Sequence, residues 1–368
     1  MSIHRAVSFS PASPAVPQLR PGAGLPGSIA VVLVNFNTGP LLAQALDSLA
    51  RQHRVPDEII VVDNGSTDGS LGLVDWAGLP QARLLVLPCN QGFAAASNIA
   101  VRLARSQWIA MLNSDAVAAP DWLEAMAQAA ARRPEARFFA SAQVLIGPAD
   151  RIDGFGDVYS VTGLTWRGGH GGALAAIPRE GRCFGACAAG AFVSRRLFLQ
   201  LGGFEESFFC YLEDVDFAYR ALLAGHDCVF VPGARIRHHS GGSSGAKSGW
   251  TLRISARNRL HLYLRNTPLV LMILTWPMFL LGVLLSLAQG LRHGKPGAVL
   301  LGLAEGVLGL RLSLAQRRRL RPPILPPLAV LAAISWNPFG PLTRSCRIRP
   351  LARPAARASP VAVPVPAE

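Results

Sequence analysis

The sequence predicts an α/β protein with a Rossmann-like, mainly parallel sheet, flanking helices and a hydrophobic helical region near its C-terminal end. Short β-branched runs that end in polar residues, with helical periodicity between them, predict the sheet. Residues 269–289 carry no charge over roughly the 20 residues that cross a bilayer, and they predict the hydrophobic region. We expect four parts: a disordered segment at 1–27, the α/β domain at 28–262, a membrane-associated helical region at 263–340 and an Arg/Pro-rich disordered tail at 341–368.

The first β-α-β unit predicts a ligand site. Residues 59–62 are all Ile or Val, typical of a strand buried on both faces, and Asp63 and Asn64 follow them. Residues 28–36 form a second such run ending near Asn35, and residues 41–52 between the runs place apolar residues on one helical face. Ligands of open α/β sheets bind beyond the carboxyl ends of the strands, so Asn35, Asp63 and Asn64 are candidate nucleotide contacts.

Two further strands are predicted at residues 84–87 and 108–112, and an alanine-rich helix to about residue 106 lies between them. No G-x-G-x-x-G motif follows the first strand of the domain, and the chain contains no G-x-x-x-x-G-K-[ST] motif. These absences argue against a dinucleotide enzyme and a P-loop NTPase.

Asp115 follows the fourth strand, on the same sheet edge as Asp63. One carboxylate suffices for Mg²⁺ or Mn²⁺ when water and diphosphate oxygens complete the coordination. An Asp in an Asn-Ser-Asp sequence is more often a turn or cap residue. The strand-end position favours the metal role.

Residues 213–216 place three carboxylates at a predicted helix start, where acids also serve as ordinary complements of the helix dipole. Asp216 and Arg220 are spaced i and i+4, which predicts a structural ion pair. Glu213 and Asp214 then remain as candidate general bases.

A strand at residues 227–237 alternates around Pro232 and delivers His238 and His239 to a glycine-serine loop. Two imidazoles there could reach a metal ion or a diphosphate, although a histidine is usually a polar surface group. Arg257 lies among three arginines of a predicted helix, which could contact phosphate or lipid headgroups. The small residues through Gly190 suit close approach to a ligand.

The charge distribution and hydropathy predict a membrane partner. Mean hydropathy is +0.30 and net charge is +14, and residues 311–357 contain ten arginines without any Asp or Glu. This pattern indicates an anionic membrane before nucleic acid, with a solvated tail as an equal alternative beyond residue 344. Basic residues flank the apolar region on both sides, so we expect a hairpin or in-plane helices that keep both flanks cytoplasmic. A buried helix of a soluble domain is the competing interpretation.

The six cysteines show no paired framework, which predicts free thiols in a reducing compartment rather than zinc or disulfides. Residues 1–27 lack a continuous apolar core, so we expect no secretory signal and a cytoplasmic domain.

Several motifs, in this order, resemble the family 2 glycosyltransferases of the GT-A fold, especially the bacterial branch that includes rhamnosyltransferases. The resemblance covers residues 30–262. It rests on VVLVNFNTGPLLAQALDSL, EIIVVDNGSTDGS, NQGFAAASN, MLNSDA, AGAFVSRRLFLQLGGFEESFFCYLEDVDFAYR and the P-x-A-x-I-x-H spacing from Pro232 to His238.

The resemblance implies a function. It implies an inverting transfer of a sugar, rhamnose being one candidate, from a nucleotide-diphosphate donor to a polysaccharide or polyprenyl-linked acceptor, with Mg²⁺ or Mn²⁺ and without nucleic acid. We expect this activity at the cytoplasmic face of the bacterial inner membrane. The competing hypothesis is a non-catalytic, membrane-docked scaffold of the same fold, because Asn113 stands where the family's D-x-D motif has its first acid. The implied roles are Asp214 as general base beside Glu213, Asp115 and His238 at the metal, Asn35, Asp63, Asn64, Asn98 and Asn113 at the donor, and His239, Arg257 and Gly190 as candidate diphosphate or acceptor contacts.

Overall fold

The structure, a computed structural model, describes residues 27–147, 150–239, 248–320, 323–337 and 339–351. The predicted disordered segment at 1–26, the glycine-serine loop from residue 240 and the tail beyond residue 351 lie outside these ranges. The predicted division of the chain into four parts is therefore compared with the structure only where residues are described.

The described chain combines strands and interspersed helices, and a helical region follows them towards the C-terminus. Its strands are β1 (Ile29–Asn35), β2 (Glu58–Asp63), β3 (Ala82–Val86), β4 (Trp108–Met111), β5 (Ala116–Ala118), β6 (Phe138–Leu145), β7 (Ile152–Gly154), β8 (Asp157–Tyr159), β9 (Thr165–Arg167), β10 (Gly181–Cys183), β11 (Ala191–Ser194) and β12 (Cys228–His238). Its helices are α1 (Leu41–Ala50), α2 (Phe93–Leu103), α3 (Trp122–Arg132), α4 (Arg195–Gln200), α5 (Glu213–Leu223), α6 (Gly249–Asn266), α7 (Leu269–Arg292), α8 (Pro296–Leu308), α9 (Leu310–Arg319), α10 (Pro327–Ala333) and α11 (Gly340–Thr343).

A mixed, mostly parallel sheet forms the centre of the molecule, which confirms the predicted fold class. Its strands run in the order β10-β12-β6-β11-β4-β1-β2-β3, with β5 beside β12 and β7 beside β6. β1, β2, β3 and β4 are parallel, and β11 runs antiparallel between β4 and β6. Asn35 is in register with Asp63, so the polar ends of the first two strands meet at one sheet edge, as predicted.

Both faces of the sheet are buried because helices cover both. Along β1, alternate residues enter separate cores, with Val32 on one side and Val31 on the other. Continuous β-branched runs are typical of strands in this situation. The same alternation in β12 buries Ala234, Ile236 and His238 together, which confirms that His238 shares its face with apolar partners.

The C-terminal helices lie against the sheet domain through α6. α6 packs on α8 and α9, and its residues up to Asn266 run across the predicted domain boundary at 262. α7 is 24 residues long, contains Pro277 and is only 28% buried over its most apolar stretch. It is the one helix of the described residues that is long and apolar enough by itself to cross a membrane, and α8 with α9 qualifies only as a bent pair.

The segment after α11 returns to the sheet. Arg349 and Arg182 exchange two backbone hydrogen bonds of 2.7 and 2.9 Å, which extends the sheet beyond β10. In the described part of the predicted Arg/Pro-rich tail, α11 and this pairing of Arg349 are present.

Candidate active site

A cavity of about 830 Å³ opens beyond the carboxyl ends of the sheet strands. It is lined by polar, acidic and aromatic side chains from strand ends and from the loops that follow them. Cavities at this position are where ligands bind in open α/β sheets. Six of the predicted site residues line it, namely Asn64, Asn113, Asp115, Glu213, Asp214 and His238.

Asp115 and His238 meet at one corner of the cavity because β5 pairs antiparallel with the last residues of β12. His238 Nε2 lies 3.1 Å from Asp115 Oδ1 and 3.4 Å from the Asn113 amide nitrogen. The other ring nitrogen, Nδ1, lies 2.8 Å from Asp153 Oδ2. Asp153 is fully buried, so the imidazole is held between a carboxylate of the interior and a carboxylate of the cavity.

These residues fit a divalent cation. If Nδ1 donates its proton to Asp153, Nε2 and Asp115 Oδ1 face each other with lone pairs, an arrangement that a cation or a second proton must bridge. The Asn113 Oδ1 atom is buried beside them and has no hydrogen-bond partner among the described residues. No cluster of three or more His, Cys, Asp or Glu side chains suited to a metal occurs in the described ranges. A cation here would therefore take its remaining ligands from water and donor phosphate oxygens.

The pKa of His238 follows from the same contacts. Burial alone lowers the pKa of this imidazole, but the hydrogen bonds with Asp115 and Asp153 outweigh burial and raise it. The two carboxylates thus favour the charged form of the imidazole.

The acid pair Glu213–Asp214 begins α5 at the cavity wall. Asp214 accepts hydrogen bonds from the backbone N–H groups of Ala188, at 3.1 Å, and Val215, at 2.8 Å. Burial raises the pKa of Asp214, and these two donors and the Arg167 cation limit the rise. Burial and the neighbouring Asp214 charge raise the pKa of Glu213 well above its ordinary value. Asp214 is thus the member of the pair that is more readily ionised.

The turn before α5 adopts a conformation that side chains rarely occupy. Phe209, Tyr211 and Leu212 have φ angles of 63°, 68° and 69°. Such left-handed residues store strain of about 1–3 kcal/mol each and occur at functional sites. The Phe209 carbonyl accepts a 3.1 Å hydrogen bond from Ala94, and a Cβ atom at Gly92 would overlap that carbonyl, so the glycine permits the approach.

The loop at residues 147–172 supplies site residues that sequence reasoning missed. Asp157, Trp166 and Arg167 line the cavity from the β8–β9 hairpin. Burial and the charge of Asp214 raise the pKa of Asp157 well above its ordinary value, while Arg167 opposes the rise. Three-residue strands give too short a pattern to identify a hairpin, so no sequence signal pointed to these residues.

Two predicted donor contacts lie beneath the cavity wall. Asn35 and Asp63 are buried, and neither lines the cavity. The Asn35 amide donates to Asp63 Oδ1 at 2.7 Å, and the other Asp63 oxygen accepts from the Ser66 N–H at 3.0 Å. Asp63 therefore shapes the strand-end turn, and the cavity wall beside it is formed by Asn64 and Asn90, which share a 2.9 Å hydrogen bond.

The structure also places four other candidates away from the cavity. Asn98 uses its amide on Phe204 and Glu206. Gly190 is a packing position, since a Cβ atom there would overlap Ile236. His239 is exposed and contacts Asp115 through its backbone N–H, and Arg257 donates to carbonyls before the turn. The described contacts of these four residues are thus packing, solvent or hydrogen bonds within the protein.

The predicted ion pair of α5 is present. Arg220 Nε lies 2.8 Å from Asp216 Oδ2, and both side chains are buried. Arg265 and Asn266 of α6 also bond Asp216, which the i, i+4 spacing could not predict.

Two family profiles match the chain. Glycosyl transferase family 2 matches residues 30–175, and Glycosyl transferase family group 2 matches residues 108–291, half of the chain. Together they span the sheet domain, the acid pair and α6, and extend into α7.

Individual relatives agree with these profiles. The N-acetylglucosaminyl-diphospho-decaprenol L-rhamnosyltransferase of Mycobacterium tuberculosis is 29% identical over an alignment of 298 residues that covers 64% of this chain and 93% of that protein. Succinoglycan biosynthesis protein ExoO of Rhizobium meliloti is 34% identical over 102 residues, 28% of this chain and 29% of that protein.

The fold has a solved counterpart in GalNAc-T7, crystallised with UDP, GalNAc and Mn²⁺. The similarity has a TM-score of 0.51 at 17% identity and covers 62% of this chain and 47% of that one, which supports the fold alone. With the family profiles and the cavity, it confirms the resemblance stated from the motifs. The chain belongs to the family 2 glycosyltransferases, has the GT-A fold and a rhamnosyltransferase-like sequence, and is a glycosyltransferase that uses a nucleotide-sugar donor.

Proposed function

We propose that the chain transfers rhamnose from a nucleotide-diphosphate donor to a lipid-linked glycan at the cytoplasmic face of the bacterial inner membrane, with inversion at the anomeric carbon. This proposal rests on one observation: the acid pair Glu213–Asp214 lines the same cavity as Asp115 and His238, the candidate metal ligands. The alignment with the mycobacterial rhamnosyltransferase, along 93% of its length, supports the choice of sugar and of a lipid-linked acceptor.

Asp214 acts as the general base in this proposal. Its carboxylate takes the proton of an acceptor hydroxyl while that oxygen forms a bond to the anomeric carbon of the donor sugar. The bond from that carbon to the diphosphate breaks, and its electron pair leaves with the diphosphate. Two backbone donors orient Asp214, and burial beside it raises the pKa of Glu213, which disfavours a second repelling charge.

Asp115, His238 and Asn113 hold the leaving-group side of the site. A bound Mg²⁺ or Mn²⁺ would neutralise charge on the departing diphosphate. Asp115 and His238 supply a carboxylate oxygen and an imidazole nitrogen for it, and the partnerless Asn113 oxygen lies beside them. Asn64 and Asn90 form the wall that binds the nucleotide in this proposal.

The exposed apolar surface of α7 supports the membrane location. Several large apolar side chains there are more than half exposed, among them Ile273 at 63%, Leu274 at 65% and Leu284 at 61%. Exposed surfaces of this kind mark membrane or protein contacts. The last turn of α9 contains three consecutive arginines, Arg317, Arg318 and Arg319. Such a cluster of positive charge is expected on a surface that contacts anionic lipid headgroups.

Replacement of Asp214 tests the proposed chemistry. Asp214→Asn retains the shape but can accept only one of the two backbone hydrogen bonds, and it should lower kcat by about 10²- to 10⁴-fold because the proton acceptor is lost. Donor KM should stay within about twofold in assays with dTDP-rhamnose and a polyprenyl-diphosphate-linked sugar. Asp227→Asn, which removes an exposed carboxylate on the β10 side, is the control. Near wild-type transfer by Asp214→Asn would exclude this residue as the base.

A further inference from the structure

The strained turn before the acid pair is held by a side chain from a different part of the chain. Asn258 lies near the middle of α6 and is fully buried. Its amide nitrogen lies 3.0 Å from the Phe208 carbonyl oxygen, 2.9 Å from that of Cys210 and 2.7 Å from that of Tyr211. We infer that Asn258 is a positioning residue for Glu213 and Asp214, an inference that rests on the proposed function.

The contact set leaves one orientation for the Asn258 amide. Only its NH₂ group can donate to three carbonyl oxygens, and its two N–H bonds are shared among them. The amide oxygen accepts a 3.0 Å hydrogen bond from Arg257 Nε. Arg257 also donates through Nη2 to the carbonyls of Ser207 and Phe208, at 3.2 and 2.9 Å. Arg257 and Asn258, which are adjacent on α6, thus bond the same turn, and the hydrogen bond between them fixes the orientation of both side chains.

The turn needs such support because its backbone is unfavourable by itself. Three non-glycine residues in four positions are left-handed, and a strained conformation of this kind persists only when its surroundings over-determine it. Without Asn258, the carbonyls of Cys210 and Tyr211 would lose this donor, whereas the Phe208 carbonyl would keep hydrogen bonds from Arg257 and from the Cys210 N–H. The loss of a hydrogen bond to a partly buried acceptor is unfavourable and would add to the strain of the turn.

A second attachment holds the other side of the acid pair. Arg265 and Asn266, about two turns further along α6, bond Asp216 Oδ1 in the first turn of α5. The carbonyls that Asn258 contacts come before Glu213 in the sequence, and Asp216 comes after Asp214. α6 therefore contacts the segment on both sides of the acid pair. Because α6 also packs on α8 and α9, the same helix connects the acids to the C-terminal region.

The variant Asn258→Asp tests the inference, since it keeps the shape of the side chain and removes both donors. We expect kcat to fall about 10- to 100-fold, as expected when a catalytic group is displaced by a fraction of an ångström to 1 Å. Donor KM and the thermal shift produced by the nucleotide diphosphate with Mn²⁺ should remain within about twofold of wild type. Asn258→Leu, which introduces no charge, should show the same separation of kcat from donor KM.

Tyr263→Phe is the matched control. Tyr263 is a buried residue of α6 whose hydroxyl bonds Met272 and Thr275 of α7, and neither of these hydrogen bonds involves the turn. Its removal should lower the melting temperature without changing kcat. An equal fall of kcat in this control, or a fall in Asn258→Asp matched by a rise of donor KM, would overturn the inference, because general destabilisation would then explain the loss.

A measurement without turnover separates this inference from the proposed function. Chymotrypsin cleaves after aromatic residues, and Phe209 and Tyr211 lie in the turn. The native wild type should resist cleavage there, and Asn258→Asp should be cut at these positions while it remains folded. If the wild type transferred no sugar, the proposed function would fail, yet faster cleavage of Asn258→Asp than of wild type would still support the positioning role of Asn258. Equal cleavage of the two proteins would overturn that role even if the enzyme were active.

Discussion

The imidazole of His238 joins the interior of the protein to the leaving-group side of the cavity. Asp153 contacts one ring nitrogen from the core, and Asp115 contacts the other from the cavity. Burial alone would raise the pKa of Asp153, but hydrogen bonds from His170 and His238 and the Arg167 charge hold that pKa well below its ordinary value. Asp153 therefore stays ionised and fixes the ring orientation, as carboxylates behind metal-binding histidines commonly do.

Asp153→Asn should weaken metal binding without removing a metal ligand. We expect the apparent affinity for Mn²⁺ to fall about 10- to 100-fold, because a neutral amide replaces the charged carboxylate that fixes the tautomer of the ring and raises its basicity. Mn²⁺ titration followed by thermal shift, in the presence of a nucleoside diphosphate, measures this without turnover. His170→Gln, which changes a more exposed partner of Asp153, is the control and should have a smaller effect. Equal Mn²⁺ affinity in Asp153→Asn and wild type would contradict the role.

At the scale of elements, α5 is fixed to the rest of the protein by one buried carboxylate. Asp216 contacts Arg220 on its own helix and Arg265 and Asn266 on α6. Burial alone would raise the pKa of Asp216, but the two arginine charges lower it overall. Two cations share this carboxylate, and Glu205, 3.1 Å from Arg265, supplies a second negative charge. Loss of Asp216 would leave buried positive charge without adequate compensation.

Asp216→Asn should therefore be strongly destabilising. We expect the free energy of unfolding in urea to fall by about 3–5 kcal/mol at neutral pH. Because the folded pKa is depressed, the stabilisation is complete above the unfolded pKa of about 3.9 and is lost as pH falls below it towards the folded pKa. The difference between variant and wild type should shrink in that acidic range. Asp227→Asn, at an exposed ion pair, should cost no more than about 1 kcal/mol; a similar cost for Asp216→Asn would show that the network contributes little.

At the scale of the whole molecule, the sheet domain and the apolar helices form a continuous structure. Gly302 of α8 lies so close to the Arg253 carbonyl of α6 that a Cβ atom would overlap it, and Gly282 of α7 has the same relation to the Thr162 carbonyl. Small residues on the inner faces allow this contact, while leucines occupy the outer face of α7. The lipid-facing surface proposed for α7 is thus rigidly related to the catalytic cavity.

Vesicle binding tests that surface. Co-sedimentation with phosphatidylglycerol vesicles should decrease as salt rises, because the arginine charges are screened, and a salt-resistant part should remain. Serine replacements of Leu274, Leu281 and Leu285 on α7 should remove the salt-resistant part, whereas Leu73→Ser, a change at an exposed leucine of the sheet domain, should not. Binding that is the same for neutral and anionic vesicles, and unaffected by the α7 changes, would exclude this membrane surface.

The sequence carried much of the fold because local patterns dictated it. Residues 59–62 had to be buried on both faces, and β2 is buried along this stretch. The predicted strand at 84–87 is shifted to Ala82–Val86, and the helix expected to reach about residue 106 ends at Leu103, since local signals specify element ends least well. Motif spacing identified the acid pair and the candidate metal ligands Asp115 and His238 as site residues, and the structure brings both into one cavity.

By itself, the sequence determined the parallel sheet, its polar strand ends and the chemical types gathered there, because period-two and helical patterns act over a few residues. Only the tertiary structure decided which of those polar residues reach the cavity. Asp63 and Asn35 bond each other below it, while Asp153, Asp157 and Asn258 act from distant segments. The physical reason is that a side chain's role depends on which donors and acceptors face it, and those partners come from chain segments that only folding brings together.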